Sequence, residues 1–539
     1  MLDFLDNILY NNILDNYNGG VYWFSKRTFA KIKGEQMIAK VTGYTLVGLD
    51  GIPVMVEVDI NNGLPGFDVV GLADTAVKES KDRVRSAIKN SGKSFPVKRL
   101  TVNLAPADVK KEGSLFDLPI AICVLKSSAQ LIADTEEYVF IGELSLDGNL
   151  RRVNGVLPIL ISASKQGYKK FIIPLENSKE ASFVNGVEIY PAENLSMVVN
   201  HLSGLTPIAP LNTNDFIPAQ KSSRYDVDLS LVKGQAVAKR SLEIAVAGGH
   251  NMLFVGAPGT GKTMLAKCIP TIMPDMTFEE ALETTKIHSV CGYLKDGEGI
   301  IYKRPFRAPH HTASTVSLTG GGSNLRPGEI SLAHNGVLFL DEMPEYKRST
   351  LEALRQPLED GVITVARASG TVTYPANVIL CGSMNPCPCG NYGSSDKECT
   401  CTPSQIAKYK AKISGPLLDR IDIQVEVDSV KYSDLASDEQ SESSAVVKER
   451  VNKARQIQRE RFREDGILTN GDMGEKHIKK YCKLSEQCES ILKNAYESLH
   501  LSPRARSRII KVARTIADMS GCVDIMPEHI LEAVSYRRY

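Results

Sequence analysis

Residues Gly256-Ala257-Pro258-Gly259-Thr260-Gly261-Lys262-Thr263 read G-x-x-x-x-G-K-[ST] and stand between an apolar run and a helical start. The run before them is Asn251-Met252-Leu253-Phe254-Val255, and Met264-Leu265-Ala266-Lys267 follows. A buried strand, a glycine loop and a helix N-terminus in that order predict a P-loop α/β core built on a parallel sheet. The glycines let successive backbone N–H groups turn inward on phosphate oxygens, and the helix end adds partial positive charge. In such a loop Lys262 reaches the β/γ-phosphates and the Thr263 hydroxyl ligates Mg²⁺. Gly256, Ala257, Pro258, Gly259, Thr260, Gly261, Lys262 and Thr263 are therefore the expected contacts of a nucleoside triphosphate.

A second motif fits the first. Gly336-Val337-Leu338-Phe339-Leu340-Asp341-Glu342 reads as another buried strand, ending on two carboxylates. An Asp at such a strand end holds Mg²⁺ in P-loop ATPases. A Glu beside it is placed to act as general base toward the attacking water. Asp341 is thus the expected metal ligand with Thr263, and Glu342 the expected catalytic base.

At 539 residues the chain is too long for one core, and two to four domains of about 100–200 residues each are expected. The net charge is +1, so a nucleic-acid partner has to be met by a local basic patch or an internal channel. No apolar stretch reaches the roughly 20 residues of a membrane span. Met1-Leu2-Asp3-Phe4-Leu5-Asp6 carries acids where a secretory leader is basic. The expectation is a cytoplasmic protein with no membrane partner, in which residues 1–36 are an extension and a cleaner pattern begins at Met37.

Residues 37–204 mix strand and helix signals. Thr45–Leu49 and Val54–Ile60 read as a hairpin joined through Asp50-Gly51-Ile52-Pro53. Lys81–Asn90 and Leu118–Leu125 read as helices, and Leu100–Leu104 and Lys170–Pro174 as strands. Pro, Asn, Ser and Thr enrichment marks a linker at 205–225. An ATPase core is expected over 226–430, and a helical C-terminal domain over 431–539. Within the latter, Ser437–Ser444 is an acidic, serine-rich loop, followed by helices at Val447–Arg463, Ser485–Leu499, Arg504–Met519 and Pro527–Ser535.

The P-loop and the GVLFLDE strand are followed by Leu351-Glu352-Ala353-Leu354-Arg355-Gln356-Pro357-Leu358-Glu359, then Ser383-Met384-Asn385-Pro386, then Ser414-Gly415-Pro416-Leu417-Leu418-Asp419-Arg420-Ile421-Asp422. In that order these motifs resemble the magnesium-chelatase-like AAA+ ATPases, and within them the ComM/YifB group. The resemblance spans nearly everything from Met37 to Tyr539. It implies a leading α+β domain similar to the Lon protease C-terminal domain, an AAA+ core and a C-terminal helical lid. Further implied are a hexameric ring, ATP and Mg²⁺ as cofactors, and DNA branch migration with recombination proteins while transforming DNA is integrated. A protein-remodelling ATPase similar to the magnesium-chelatase motor subunit fits the same residues. Carried over by motif, Asn385 matches sensor 1, which aligns the lytic water. Arg420 matches an arginine finger that reaches a neighbouring subunit's site, and Arg504 matches sensor 2 on the lid.

Between the ATPase motifs, Phe306–Ser314 and Gly320–Glu329 are interrupted by glycine and proline. In similar ATPases an inserted hairpin here projects toward the ring pore. His310 and His311 are adjacent, which favours a structural or inter-subunit role over a shared metal, since helical ligand pairs are commonly spaced i, i+4. Arg304, Arg307, Lys347 and Arg348 either meet phosphates or form a solvated face.

Lon-like domains use a serine with a lysine base. Here those two positions fall on or near Leu115 and near Leu157, and the remaining Ser114 has no lysine in register. Lys110 and Lys111 are read as part of a charged loop. No peptidase activity is expected.

Eleven cysteines in this length make no disulfide scaffold. Seven are scattered, while Cys387-Pro388-Cys389 and Cys399-Thr400-Cys401 form two C-x-C pairs. Four soft thiolates would suit Zn²⁺. Redox pairing or plain turn-forming cysteines remain open alternatives.

Overall fold

A computed structural model describes residues 38–537, apart from 215, 217–224, 296, 323–324, 368–369, 394–396, 430–440 and 500. The expected N-terminal extension, residues 215 and 217–224 of the expected linker, and Ser437–Gln440 of the acidic loop lie outside the described residues.

The N-terminal half is built on β1 (Ala39–Val47), β2 (Asp50–Asn61), β3 (Gly66–Val70), β4 (Arg99–Ala105), β5 (Tyr138–Phe140), β6 (Lys170–Pro174) and β7 (Glu188–Ala192). These form one mixed sheet in the order β3-β4-β2-β1-β5-β6-β7. Strict alternation sets the faces: on β4, Leu100, Val102 and Leu104 are buried while Arg99 is exposed. Helices α1 (Thr75–Asn90), α2 (Asp117–Ser127) and α3 (Val156–Lys165) cover the sheet. α2 is buried from Asp117 through Leu125, as a helix apolar all round must be.

Two local expectations are corrected and a third is refined. The β1–β2 turn is Gly48-Leu49, two residues before the Asp50-Gly51 signal, because Val47 pairs with Asp50. Gly48 takes φ +66°, which the turn requires, and Gly51 lies in β2 with its N–H on Ser162 Oγ at 2.9 Å. α1 starts six residues before Lys81, where the Asp74 side chain accepts the Val77 N–H at 2.8 Å as an N-cap. Lys111 lies in the charged loop between ion-paired Lys110 and Glu112, yet it is fully buried: its Nζ donates to the Pro106 carbonyl, and burial lowers its pKa.

The second sheet is parallel throughout. Its strands are β8 (Met252–Val255), β9 (Phe306–Arg307), β10 (Val337–Leu340), β13 (Ile379–Met384) and β14 (Ile423–Glu426), in the order β9-β10-β13-β8-β14. The two intervening strands, β11 (Val362–Arg367) and β12 (Gly370–Pro375), make a separate antiparallel hairpin. α4 (Ala236–Gly248) and α5 (Lys262–Ile272) flank β8 in sequence, and α6 (Phe278–Cys291) follows. The longer C-terminal helices are α7 (Ser444–Arg461), α8 (Glu486–Ser498), α9 (Pro503–Met519) and α10 (Pro527–Ser535), with a short helix at Glu475–Tyr481 between the first two. They share one hydrophobic cluster with the core: Val451, Ile516 and Ile530 pack with Leu242, Phe254 and Leu265.

α6 joins the two halves. The Gly155 N–H at the start of α3 donates to the Ser289 carbonyl at 3.1 Å, and Ser289 Oγ donates to buried Glu180 at 2.7 Å. Phe183 packs with Met276, Ala281 and Ile300 at the same junction. Among the described residues no helix is long and apolar enough to cross a membrane.

Candidate nucleotide site

Strand order places the candidate residues at one edge. β13 lies between β10 and β8, and all three run parallel, so their carboxyl ends open on one crevice. That crevice is where open α/β sheets hold ligands. β8 delivers the glycine loop, β10 delivers Asp341 and Glu342, and β13 delivers Asn385. The Gly256 N–H donates to the Met384 carbonyl at 3.2 Å, which ties the loop's first residue to the end of β13.

Gly256 admits no side chain, since a Cβ would lie 2.3 Å from the Val427 carbonyl oxygen. Gly261 has φ +88° and turns the chain into α5, so the Lys262 and Thr263 N–H groups open that helix. Lys262 is buried; its Nζ donates to the carbonyls of Gly256 at 2.7 Å and Ala257 at 2.8 Å. Burial lowers its pKa, while Asp341 and Glu342 oppose that shift. Thr263 Oγ1 lies 3.1 Å from Asp341 Oδ2, the pairing of hydroxyl and carboxylate that suits a hard divalent cation. Ser383 Oγ donates to the other Asp341 oxygen and fixes the carboxylate. A first loop residue closed to any side chain, a buried ammonium and this oxygen pair together fit MgATP.

Glu342 sits at φ +49° with an exposed side chain. Its N–H donates to Ser383 Oγ at 3.1 Å, and His311 Nδ1 lies 3.8 Å from its carboxylate. The His310 and His311 rings lie against each other, tilted by 34°, with centroids 4.1 Å apart.

Arg420 and Arg504 are elsewhere. Arg420 precedes β14, whose first residue Ile423 pairs with Met252, the first residue of β8. β8 is four residues long, so about 13 Å of strand at about 3.3 Å per residue separates Arg420's end from the glycine loop. Arg420 is buried, donates to the carbonyls of Arg355 at 3.0 Å and Pro416 at 2.8 Å, and pairs with Glu359. Arg504, exposed in the first turn of α9, shares with it a cleft of about 410 Å³. Arg508 and Lys511 line that cleft too, with Glu359, Asp419, Asp422, Asp472 and Glu475 as the acidic counterparts. Burial alone would raise the Asp422 pKa; Arg508, His250 and Lys511 more than offset it and hold the carboxyl far below its usual range.

Sequence reasoning missed Ser383, Arg508, Lys511 and the β11–β12 hairpin. Arg504, Arg508 and Lys511 are spaced i, i+4, i+7, which puts them on one face of α9 and was readable. Val362–Arg367 and Gly370–Pro375 alternate buried and exposed residues after the Asp360-Gly361 turn signal, a hairpin pattern. Among the described residues, the hairpin expected between 306 and 329 is a two-residue ladder, Gly320–Gly321 with Arg326–Pro327. Of the four cations weighed there, Arg304 is buried against Glu280 at 2.9 Å and Arg307 pairs with Glu329 at 2.6 Å, so acids already hold both. Lys347 and Arg348 are exposed.

The four clustered cysteines converge: each offers a sulfur, and all four sulfurs lie within 4.8 Å of one another. At the Lon-type positions, Leu157 is buried and Leu115 partly buried. Ser114 Oγ donates to Glu143.

Comparison with known proteins agrees with this layout. The family model "Magnesium chelatase, subunit ChlI" matches residues 228–435. "Subunit ChlI of Mg-chelatase" matches 56–177, and "Magnesium chelatase, subunit ChlI C-terminal" matches 441–537. The chain is 45% identical over 507 residues to competence protein ComM of Haemophilus influenzae, covering 93% of this chain and 97% of that protein. It is 45% identical over 496 residues to the uncharacterized protein YifB of Escherichia coli, covering 91% and 95%. A weaker likeness, 25% identity over 178 residues, links 33% of this chain to 22% of a probable DNA helicase MCM9 of Arabidopsis thaliana. With its P-loop crevice and its chelatase-type domains in sequence, the chain belongs to the ComM/YifB group of magnesium-chelatase-like AAA+ ATPases.

Proposed function

We propose that copies of this chain form a hexameric ring that hydrolyses ATP and drives branch migration of DNA, in the service of natural transformation. The observation that carries the reading is the separation of Arg420 and Arg504 from the glycine loop by the length of β8. Neither guanidinium can serve its own chain's phosphates from there. A neighbouring copy that presents its Arg420 face to this chain's crevice completes the set, and such head-to-tail contacts form a ring when the rotation between copies closes.

When bound, Mg²⁺ neutralises phosphate charge and the triphosphate supplies the bond that is broken. Lys262 and the loop N–H groups would hold the β/γ-phosphates. Thr263 and Asp341 would orient the cation, with Ser383 steadying Asp341. Glu342 would take the proton of the attacking water and Asn385 would align that water. Arg420 and Arg504 of the adjacent copy would stabilise transition-state charge. The DNA substrate is supported by the competence relative, by the weak helicase likeness and by the exposed Arg367, Lys347 and Arg348 on the ATPase module. The Lon-type positions carry leucines, which transfer no proton, so no peptidase step is proposed.

ATP turnover with and without forked DNA, measured alongside the mass of the assembly, tests the reading. Stimulation that declines with salt and a six-copy mass are expected. Stimulation by a protein partner instead of DNA would favour the remodelling alternative. A chain that stays monomeric with a non-hydrolysable analogue and DNA would end the ring.

A further inference from the structure

We infer that Cys387, Cys389, Cys399 and Cys401 hold one Zn²⁺, and that the loop closed by this ion braces the nucleotide cradle through Gly390 and Pro258. The inference rests on the P-loop reading above for its second half only.

The sulfur geometry comes first. Cys387 and Cys389 sulfurs are 3.3 Å apart, Cys387 and Cys399 are 3.7 Å apart, and Cys389 and Cys399 are 3.6 Å apart. Four sulfurs at about 2.3 Å from one tetrahedral zinc lie about 3.8 Å from each other, so little movement is needed to close the site. All three separations exceed the roughly 2.05 Å of a disulfide. An all-sulfur tetrahedral set selects zinc or iron–sulfur chemistry over harder ions. The Tyr392 N–H donates to the Cys387 sulfur at 3.3 Å, the kind of outer contact that stabilises a ligating thiolate.

Position gives the site its consequence. Cys387 is buried and follows Asn385 by two residues, at the end of β13. The chain then doubles back, with the Gly390 N–H on the Cys387 carbonyl at 3.0 Å. Gly390 has φ +84°, and a Cβ there would lie 2.6 Å from Pro258 Cδ and 3.0 Å from Cγ. Pro258 is the third residue of the phosphate loop. A metal-pinned turn thus packs backbone against the cradle, and also fixes the start of the segment after Asn385. Without the ion the two C-x-C arms are tied only by weak thiol contacts, and the surface under Pro258 loosens.

The test uses the full chain purified without added metal. Elemental analysis should give about one zinc per chain, released by a mercurial and detected with a chromogenic chelator. Less than about a tenth of an equivalent, or iron in place of zinc, overturns the site. Mercurial-treated, zinc-free protein should bind a fluorescent ATP analogue about tenfold more weakly, equivalent to about 1.4 kcal/mol. Gly390→Val should keep its zinc and show a similar loss, which separates the brace from gross unfolding in Cys399→Ser. Nucleotide affinity unchanged both in zinc-loaded Gly390→Val and in the zinc-free chain would overturn the brace. Failure of the untreated chain to bind nucleotide would instead count against the ATPase site and leave the zinc measurement standing.

Discussion

Lys262 Nζ stands 3.3 Å from Asn385 Oδ1, so the ammonium bridges the glycine loop and the end of β13. It also donates to two carbonyls of its own loop, leaving the cation desolvated yet fully directed at oxygen. Exchanging those oxygens for phosphate costs little reorganisation. Lys262→Ala removes a hydrogen bond from a charged donor, worth about 1.5–3 kcal/mol. A nucleotide titration should show binding weakened by roughly 10- to 100-fold. Unchanged affinity would refute the assignment of this lysine.

Glu342→Gln keeps shape and removes the proton acceptor. The backbone at this residue is anchored by Ser383, so the substitution should not move the loop. Nucleotide affinity should hold while single-turnover hydrolysis drops about 10²–10⁴-fold, the usual reach of a general base. A drop below tenfold would show that Glu342 does not act as the base.

Arg420 makes a prediction that no cis mechanism shares. Arg420→Ala should cost about 10³-fold in turnover, at the lower end of arginine-finger effects. Mixed with Lys262→Ala chains, the Arg420→Ala chains should recover activity, because one supplies intact cradles and the other intact guanidiniums. Random mixing in a head-to-tail ring makes about a quarter of interfaces complete. Turnover of the mixture no greater than that of the separate variants would mean the arginine serves its own subunit.

The P-loop strand, its glycines, and the carboxylates after β10 were legible because each motif is contiguous and flanked by a period that fixes its element. The order of strands in the sheet was not, since nothing local says that Ile379–Met384 inserts between β8 and β10. For the same reason the neighbours of Asp341 escaped notice: Ser383 lies forty-two residues away in sequence. The burial of Lys111 within its charged loop was not legible because charge alone looks solvent-facing, whereas a carbonyl partner lets the ammonium be buried. The cysteine pairs were visible, but their closure is a tertiary fact that two unusual spacings could not establish.

His288, on α6, is buried with Nε2 3.0 Å from the Leu332 carbonyl. Burial lowers its pKa from 6.5; the Leu332 carbonyl, Glu298 and Glu329 oppose the shift, and Arg307 adds to it. A depressed histidine contributes stability above its unfolded pKa and loses it as pH falls through its folded one. Melting temperature should therefore decline on acidification below about pH 6.5. His288→Gln, which cannot charge, should flatten that decline. An equally steep decline in the variant would assign the effect to other groups.

Ser289 offers the sharper probe of how the two halves are joined. Its hydroxyl donates to Glu180 at 2.7 Å, and Asn177 donates to the other carboxylate oxygen at 2.7 Å. Burial raises the Glu180 pKa above its usual 4.5, and these two bonds restrain the rise. An acid with a raised folded pKa contributes stability below its unfolded value and loses it as pH climbs through the folded value. Ser289→Ala removes one restraint, raises that pKa further and should cost about 1–3 kcal/mol. The deficit should be larger at pH 8 than at pH 5, because only the ionised carboxylate needs the lost donor. Ser289→Thr keeps a hydroxyl and should restore the pH slope. Melting curves for the three proteins at both pH values read this directly. A deficit independent of pH would mean that Ser289 matters for packing against Gly155 and not for the buried charge.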